Sequence, residues 1–243
     1  MLVAAAVCPC PPLLVPEVAA GAAPELDAAR AACDEAIGAV LAAAPDLLWV
    51  IGEGPDQGVH TSGARGSFRS FGVDLDVRLG VPDESAEAAG ITLPPSLSVG
   101  AWLLARAGWT GETRGYEVTG GASAFAGLDG AWRLAEGRTG AERVGFLVMG
   151  DGTACRTVKA PGYLDERAEA VDARIAEALR TLDRDGYLAQ LDAGLAGELK
   201  ISGRAPWQLL SGAWSQDHGD HGTGRLLYED APYGVGYFVA SWT

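Results

Sequence analysis

The sequence predicts a three-layer α/β/α domain. Three observations carry that expectation. Short apolar runs alternate with segments of helical periodicity along the chain, the pattern of a sheet layered between helices. The runs at 2–7, 46–52 and 143–149 are continuous rather than alternating, as in strands buried on both faces. The chain has 243 residues and is 48% hydrophobic, enough for one full core, so a single domain over 1–243 is expected.

Residues 2–7 form the first expected strand, and the proline cluster at Pro9, Pro11 and Pro12 stops it. A helix is expected over 25–44. Leu26, Cys33, Ile37, Val40 and Leu41 share one of its faces, Pro24 suits its first turn, and Pro45 ends it. The run DLLWVIG at 46–52 is the second strand. A long Gly/Ser-rich loop is expected over 53–70, then a strand over 73–79. Residues 96–107 read as a helix with Leu97, Leu103 and Leu104 on its apolar side. A short strand is expected at 115–119. The next buried strand, 143–149, is broken by Gly150-Asp151-Gly152. Helical spacing returns over 164–182 and 187–199, and 206–214 is read as helical too. Residues 215–224 form a polar Gly/His/Asp loop. Strands are expected at 225–228 and 236–241.

The net charge is −14, with 18 Lys+Arg against 32 Asp+Glu. No basic cluster stands out, which argues against a nucleic-acid partner. No apolar run approaches the ~18 residues of a membrane span, so no membrane partner is expected. The first ten residues lack the basic start of a signal peptide, and a cytoplasmic location is expected. Four cysteines are too few for a disulfide framework in a chain of this length. Cys33 reads as a small core residue. A homo-oligomer is compatible with the Trp-bearing segments around Trp102, Trp109, Trp207 and Trp214.

Open α/β sheets place ligands at the carboxyl ends of their strands. Cys10, just past the first strand, stands at such a place. Glu53 follows the second strand, and Asp151 follows the strand at 143–149. Tyr237 opens the last strand, and Arg65 lies in the Gly-rich stretch. Asp151, Tyr237 and Arg65 are therefore candidate ligand-binding residues, for a small molecule. Arg69, Arg156 and Tyr233 are weaker ones. Cys10, Glu53 and Cys155 are candidate metal ligands: two thiolates and a carboxylate suit zinc or copper by residue type. His60, downstream of Glu53, is the candidate catalytic residue. His218 and His221 sit in a His/Asp-rich loop, where adventitious metal or plain solvation is the expectation.

Four segments carry a resemblance to a known family. Cys8-Pro9-Cys10-Pro11-Pro12-Leu13-Leu14-Val15-Pro16-Glu17 resembles a strand followed by PHPPLLVPE. Residues 149–156 (MGDGTACR) resemble SGDLSHR. Residues 228–240 (YEDAPYGVGYFVA) resemble a closing Y…PYGVGYLVA strand, and 64–73 (ARGSFRSFGV) looks like GDFGRFG. Together they resemble the class III extradiol ring-cleavage dioxygenases, the LigB-like superfamily that also contains the Memo-type proteins. The resemblance implies a LigB-like fold. It also implies Fe(II) held by two His and one Glu, with a further His moving the catechol proton.

Carried over residue by residue, that chemistry does not survive. The first His ligand falls on Cys10 and the second near Glu53. The His of SGDLSHR falls on Ala154, or on Cys155 with one insertion. Another falls at Leu97 or Ser98, and the Glu ligand falls near Ile201. The expectation is a divergent member with a strand-end pocket for a small molecule or soft metal, without catechol ring cleavage. Two alternatives stand beside it. One is an active non-haem oxygenase or oxidoreductase with a rewired set of ligands. The other is a Memo-like interaction module.

Overall fold

The computed structural model describes residues 1–81, 93–120 and 143–243. It is a mixed α/β structure built on one large, mostly parallel sheet. Among the described residues that sheet has seven strands in the order β3-β6-β2-β7-β1-β9-β8. The four central strands run parallel: β6 (Glu112–Val118), β2 (Leu47–Glu53), β7 (Val144–Met149) and β1 (Leu2–Cys8). β3 (Gly58–His60) runs antiparallel to β6 at one edge. At the other edge β9 (Tyr237–Trp242) runs antiparallel to β1, and β8 (Gly224–Asp230) closes the sheet.

The continuous apolar runs are central strands because both sheet faces are covered. On one face Ala4, Ala6, Cys8, Leu48, Val50, Leu147 and Met149 pack under α2 (Asp27–Ala42) and α3 (Pro95–Arg106). On the other, Ala5, Val7, Trp49, Ile51, Phe146 and Val148 form a core with α4 (Ala168–Arg180), α5 (Ala193–Leu199) and α6 (Arg204–His218). Before α2 the chain makes a short helix, α1 (Pro16–Ala19), and a 3-10 stretch, Ala20–Leu26. Buried Arg30 on α2 ties this excursion down. It donates to Leu14 O (3.1 Å) and Ala23 O and pairs with Asp27 (2.7 Å).

Several expected boundaries shift. The stretch 53–70 is not all loop: it holds β3 and also β4 (Arg65–Ser67), which pairs with β5 (Asp76–Arg78) in a separate two-stranded sheet. That sheet replaces the strand expected over 73–79. The helix expected over 187–199 is helical only from Ala193. Buried Asp183 accepts from Leu188 N (2.8 Å) and Ala189 N (3.0 Å) and holds the preceding residues in turns. α6 runs four residues into the polar loop expected over 215–224, to His218. No helix among the described residues is long and apolar enough to cross a membrane.

Candidate functional site

β7 lies between β1 and β2, and the register pairs Met149 with both Cys8 and Gly52. Cys10, Asp151 and Glu53 therefore lie one or two residues beyond a common line across the sheet. The last rung is Gly150 N to Cys8 O at 3.1 Å. A side chain at position 150 would collide with the backbone of Gly203, so glycine there lets the segment before α6 close over the strand end. Gly203 N then donates to Asp151 O at 2.9 Å, and Asp151 N donates to Ser202 Oγ at 3.0 Å.

The backbone held in this way aims the Asp151 side chain at Cys10. Its Oδ1 accepts from Cys10 N at 2.9 Å. Its Oδ2 faces the Cys10 thiol at 3.9 Å, a weak donor. Burial pushes the Asp151 carboxyl up to about 7, against the lowering effect of the two Cys10 contacts. The Cys10 thiol, 9% exposed, is pushed well above its ordinary range by burial and then by the Asp151 charge; Ser202 opposes this and Glu53 adds to it. Tyr237, 3% exposed, lies near enough to feel the same pair. Burial raises its phenol first, and the charges of Asp151 and Cys10 raise it further.

Beside this knot a cleft of about 460 Å³ opens. Glu53 and Gly120 line one side, and Ala193, Gly197, Lys200 and Ser202 the other. Its size is that of a small-molecule site. Ser202 belongs to both places: it lines the cleft and accepts from Asp151. Burial raises the Glu53 carboxyl, while the Arg204 guanidinium pulls it back. Arg204 itself is fixed by donating to Leu191 O (2.8 Å) and Gly120 O (3.0 Å). Glu53 is anchored through its carbonyl, which accepts from Ser96 Oγ at 2.6 Å.

The structure thus brings Cys10, Asp151, Tyr237 and Glu53 to one edge. It does not bring Cys155 there. Cys155 belongs to the opposite core, with its Sγ 3.6 Å from Leu199 O and its thiol raised by burial. The cause is Asp172 on α4, fully buried, which accepts from Thr153 N (2.9 Å), Thr153 Oγ1 (2.9 Å) and Arg156 Nη1 (3.2 Å). These bonds turn the chain after Gly152 away from the sheet edge. The expected metal set of Cys10, Glu53 and Cys155 is therefore not assembled. Among the described residues no three His, Cys, Asp or Glu side chains group as metal ligands.

His60 does not fold back toward Cys10. Its Nε2 donates to Glu117 at 2.9 Å on neighbouring β6, and the buried Glu117 also accepts from Asp56 N (2.9 Å). Arg65 lies on β4, where it pairs with Asp76 at 3.4 Å. Arg156 is engaged by Asp172. His218 ends α6, stacks on Trp214 at 4.2 Å and donates to Leu2 O at 2.7 Å, while Asp217 accepts from Leu2 N. That pair clamps the start of β1. His218 is thus a structural residue rather than part of a solvated loop.

Ser202, Arg204 and Glu117 were not legible as site residues. For Glu117 a signal existed: an acid between Tyr116 and Val118 in a short strand. Fe(II), implied by the family resemblance, does not fit these residues. Ala154 offers no donor, His60 is held by Glu117, and Cys10 is turned to Asp151. A zinc or copper site would need a third donor beside Cys10 and Glu53.

No family model matches the sequence, and no curated protein matches it. Among solved structures, the fold is similar to that of the uncharacterized protein JW3007 from Escherichia coli K12. The match has a TM-score of 0.52 and 10% identity and covers 98% of this chain and 99% of that one. At that identity the likeness concerns the fold alone.

Proposed function

We propose that the chain is a divergent LigB-like domain that binds a small molecule at the carboxyl edge of its sheet and does not cleave catechol rings by the iron chemistry of that superfamily. The observation that carries this reading is the cleft of about 460 Å³ sharing Ser202 with the Cys10–Asp151 pair. It lies where parallel α/β sheets place their ligands. Its polar groups are few, and its walls at Gly120, Ala193, Ala196 and Gly197 are small. Such a site orients a compact molecule through Glu53, Lys200 and Ser202 while the small walls take its apolar body. The sequence resemblance across four segments supports the LigB-like assignment.

The test is a ligand-observed NMR screen of compact polar aromatics and aliphatics, repeated on Gly197→Phe. A side chain at position 197 meets open space, so this variant fills the cleft without disturbing α5. Hits that vanish in Gly197→Phe are expected. Hits that persist unchanged in the variant, or an empty screen, contradict the reading.

A further inference from the structure

The cleft beside the strand ends is lined by one charged group of each sign, Glu53 and Lys200. Among the described residues they do not pair with each other, and neither the Glu53 carboxylate nor the Lys200 ammonium has another hydrogen-bond or ion-pair partner. Arg204 comes near enough for its charge to favour the ionised form of Glu53, but its guanidinium donates to Leu191 O and Gly120 O. Lys200 caps α5 in the left-handed region, at φ 57°, a place that favours glycine. Lysine there forfeits some helix stability and sets an ammonium group on the cleft wall. Ser202 accepts from Asp151 N at 3.0 Å and has an O–H of its own to donate. The other walls are small or aliphatic, and among the described residues no aromatic ring lines the cleft.

We infer that the ligand of this cleft is a small aliphatic amino acid, its ammonium group on the Glu53 carboxylate, its carboxylate on the Lys200 ammonium and the Ser202 hydroxyl, and its side chain against Ala193, Ala196 and Ile201. The inference rests on the small-molecule reading above and names the chemical class. Charge matching decides it. A simple amine answers Glu53 and leaves Lys200 without a counter-charge, and a simple acid does the reverse. A diacid meets Glu53 as a like charge. A diamine meets Lys200 and Arg204 as like charges. A zwitterion makes charge-assisted bonds to both charged groups, which it bridges. With no ring on the walls, nothing stacks an aromatic side chain.

Calorimetric titration of the full chain with L-norvaline and its two halves, pentanoate (no ammonium) and butylamine (no carboxylate), at one neutral pH, tests this. Norvaline is expected to bind at least about tenfold more tightly than either half, the worth of one charge-assisted bond. Glu53→Gln is expected to remove the advantage over pentanoate while leaving pentanoate binding as in the wild type. Lys200→Gln is expected to remove the advantage over butylamine while leaving butylamine binding unchanged. The retained half shows in each case that the cleft is intact. Wild-type norvaline binding no more tightly than either half, or an advantage that survives its variant, overturns the amino-acid inference; hits in the NMR screen that vanish in Gly197→Phe then leave the small-molecule reading standing. Failure of all three probes, together with an empty NMR screen, overturns both.

Discussion

Cys10 and Asp151 are joined by the Cys10 backbone, whose N–H donates to Asp151 Oδ1 at 2.9 Å across 141 residues of sequence. This single bond couples the ends of β1 and β7. It depends on Cys10 keeping its N–H between Pro9 and Pro11, neither of which has one.

The pair makes stability pH-dependent. The folded carboxyl of Asp151 sits at about 7, above the ~3.9 of an unfolded Asp, so the folded state holds this proton more tightly. Its contribution is fully present below pH ~4, falls as pH rises toward 7, and is flat above. Asp151→Asn keeps the acceptor for Cys10 N without the charge. Urea unfolding should find the variant more stable at pH 8 by about 2 kcal/mol, with the gain vanishing near pH 4. A constant difference across that range would show that Asp151 titrates normally.

Asp172 sets the direction of the chain beyond Gly152. Asp172→Ala leaves Thr153 N, Thr153 Oγ1 and Arg156 without their acceptor and opens a buried hole. A loss of about 3 kcal/mol is expected in denaturant unfolding. A loss below about 1 kcal/mol would mean that the Thr153–Asp172 bonds do not fix this turn.

His218 predicts a mechanical effect rather than a metal effect. His218→Ala removes the bond to Leu2 O and the stack on Trp214 and should cost about 1–2 kcal/mol. Added zinc should leave the melting temperature of wild type and variant equally unchanged. A zinc-dependent rise seen only in the wild type would return His218 to the metal ligands.

Gly38 lies inside α2, and a side chain there meets nothing within 4 Å. Gly38→Ala should therefore stabilise the chain by about 0.5–1 kcal/mol, read as a rise in urea midpoint at constant slope. A fall would reveal a contact at this helix position.

The large sheet was legible because its central strands are apolar on both faces, so 2–7, 46–52 and 143–149 announce themselves. β3 and β4 were not, because Gly58–His60 and Arg65–Ser67 pair through their backbones and carry no apolar period. Leu188 and Leu191 continue the spacing of α5, yet Asp183 holds them in turns, a contact that periodicity does not encode. At the site, strand-end position alone pointed to Cys10, Glu53 and Asp151. Ser202 and Arg204 reach that edge from distant sequence, so nothing local marked them. Cys155 was misplaced because the turn after Gly152 is set by a carboxyl on another helix.

Oxygen consumption decides whether this sheet edge holds working iron. The protein would be loaded anaerobically with Fe(II) and offered a panel of catechols. No uptake above that of free Fe(II) is expected, and no change in Cys10→Ala. Turnover that requires the protein and disappears in Cys10→Ala would contradict it, since the sheet edge would then hold working iron after all.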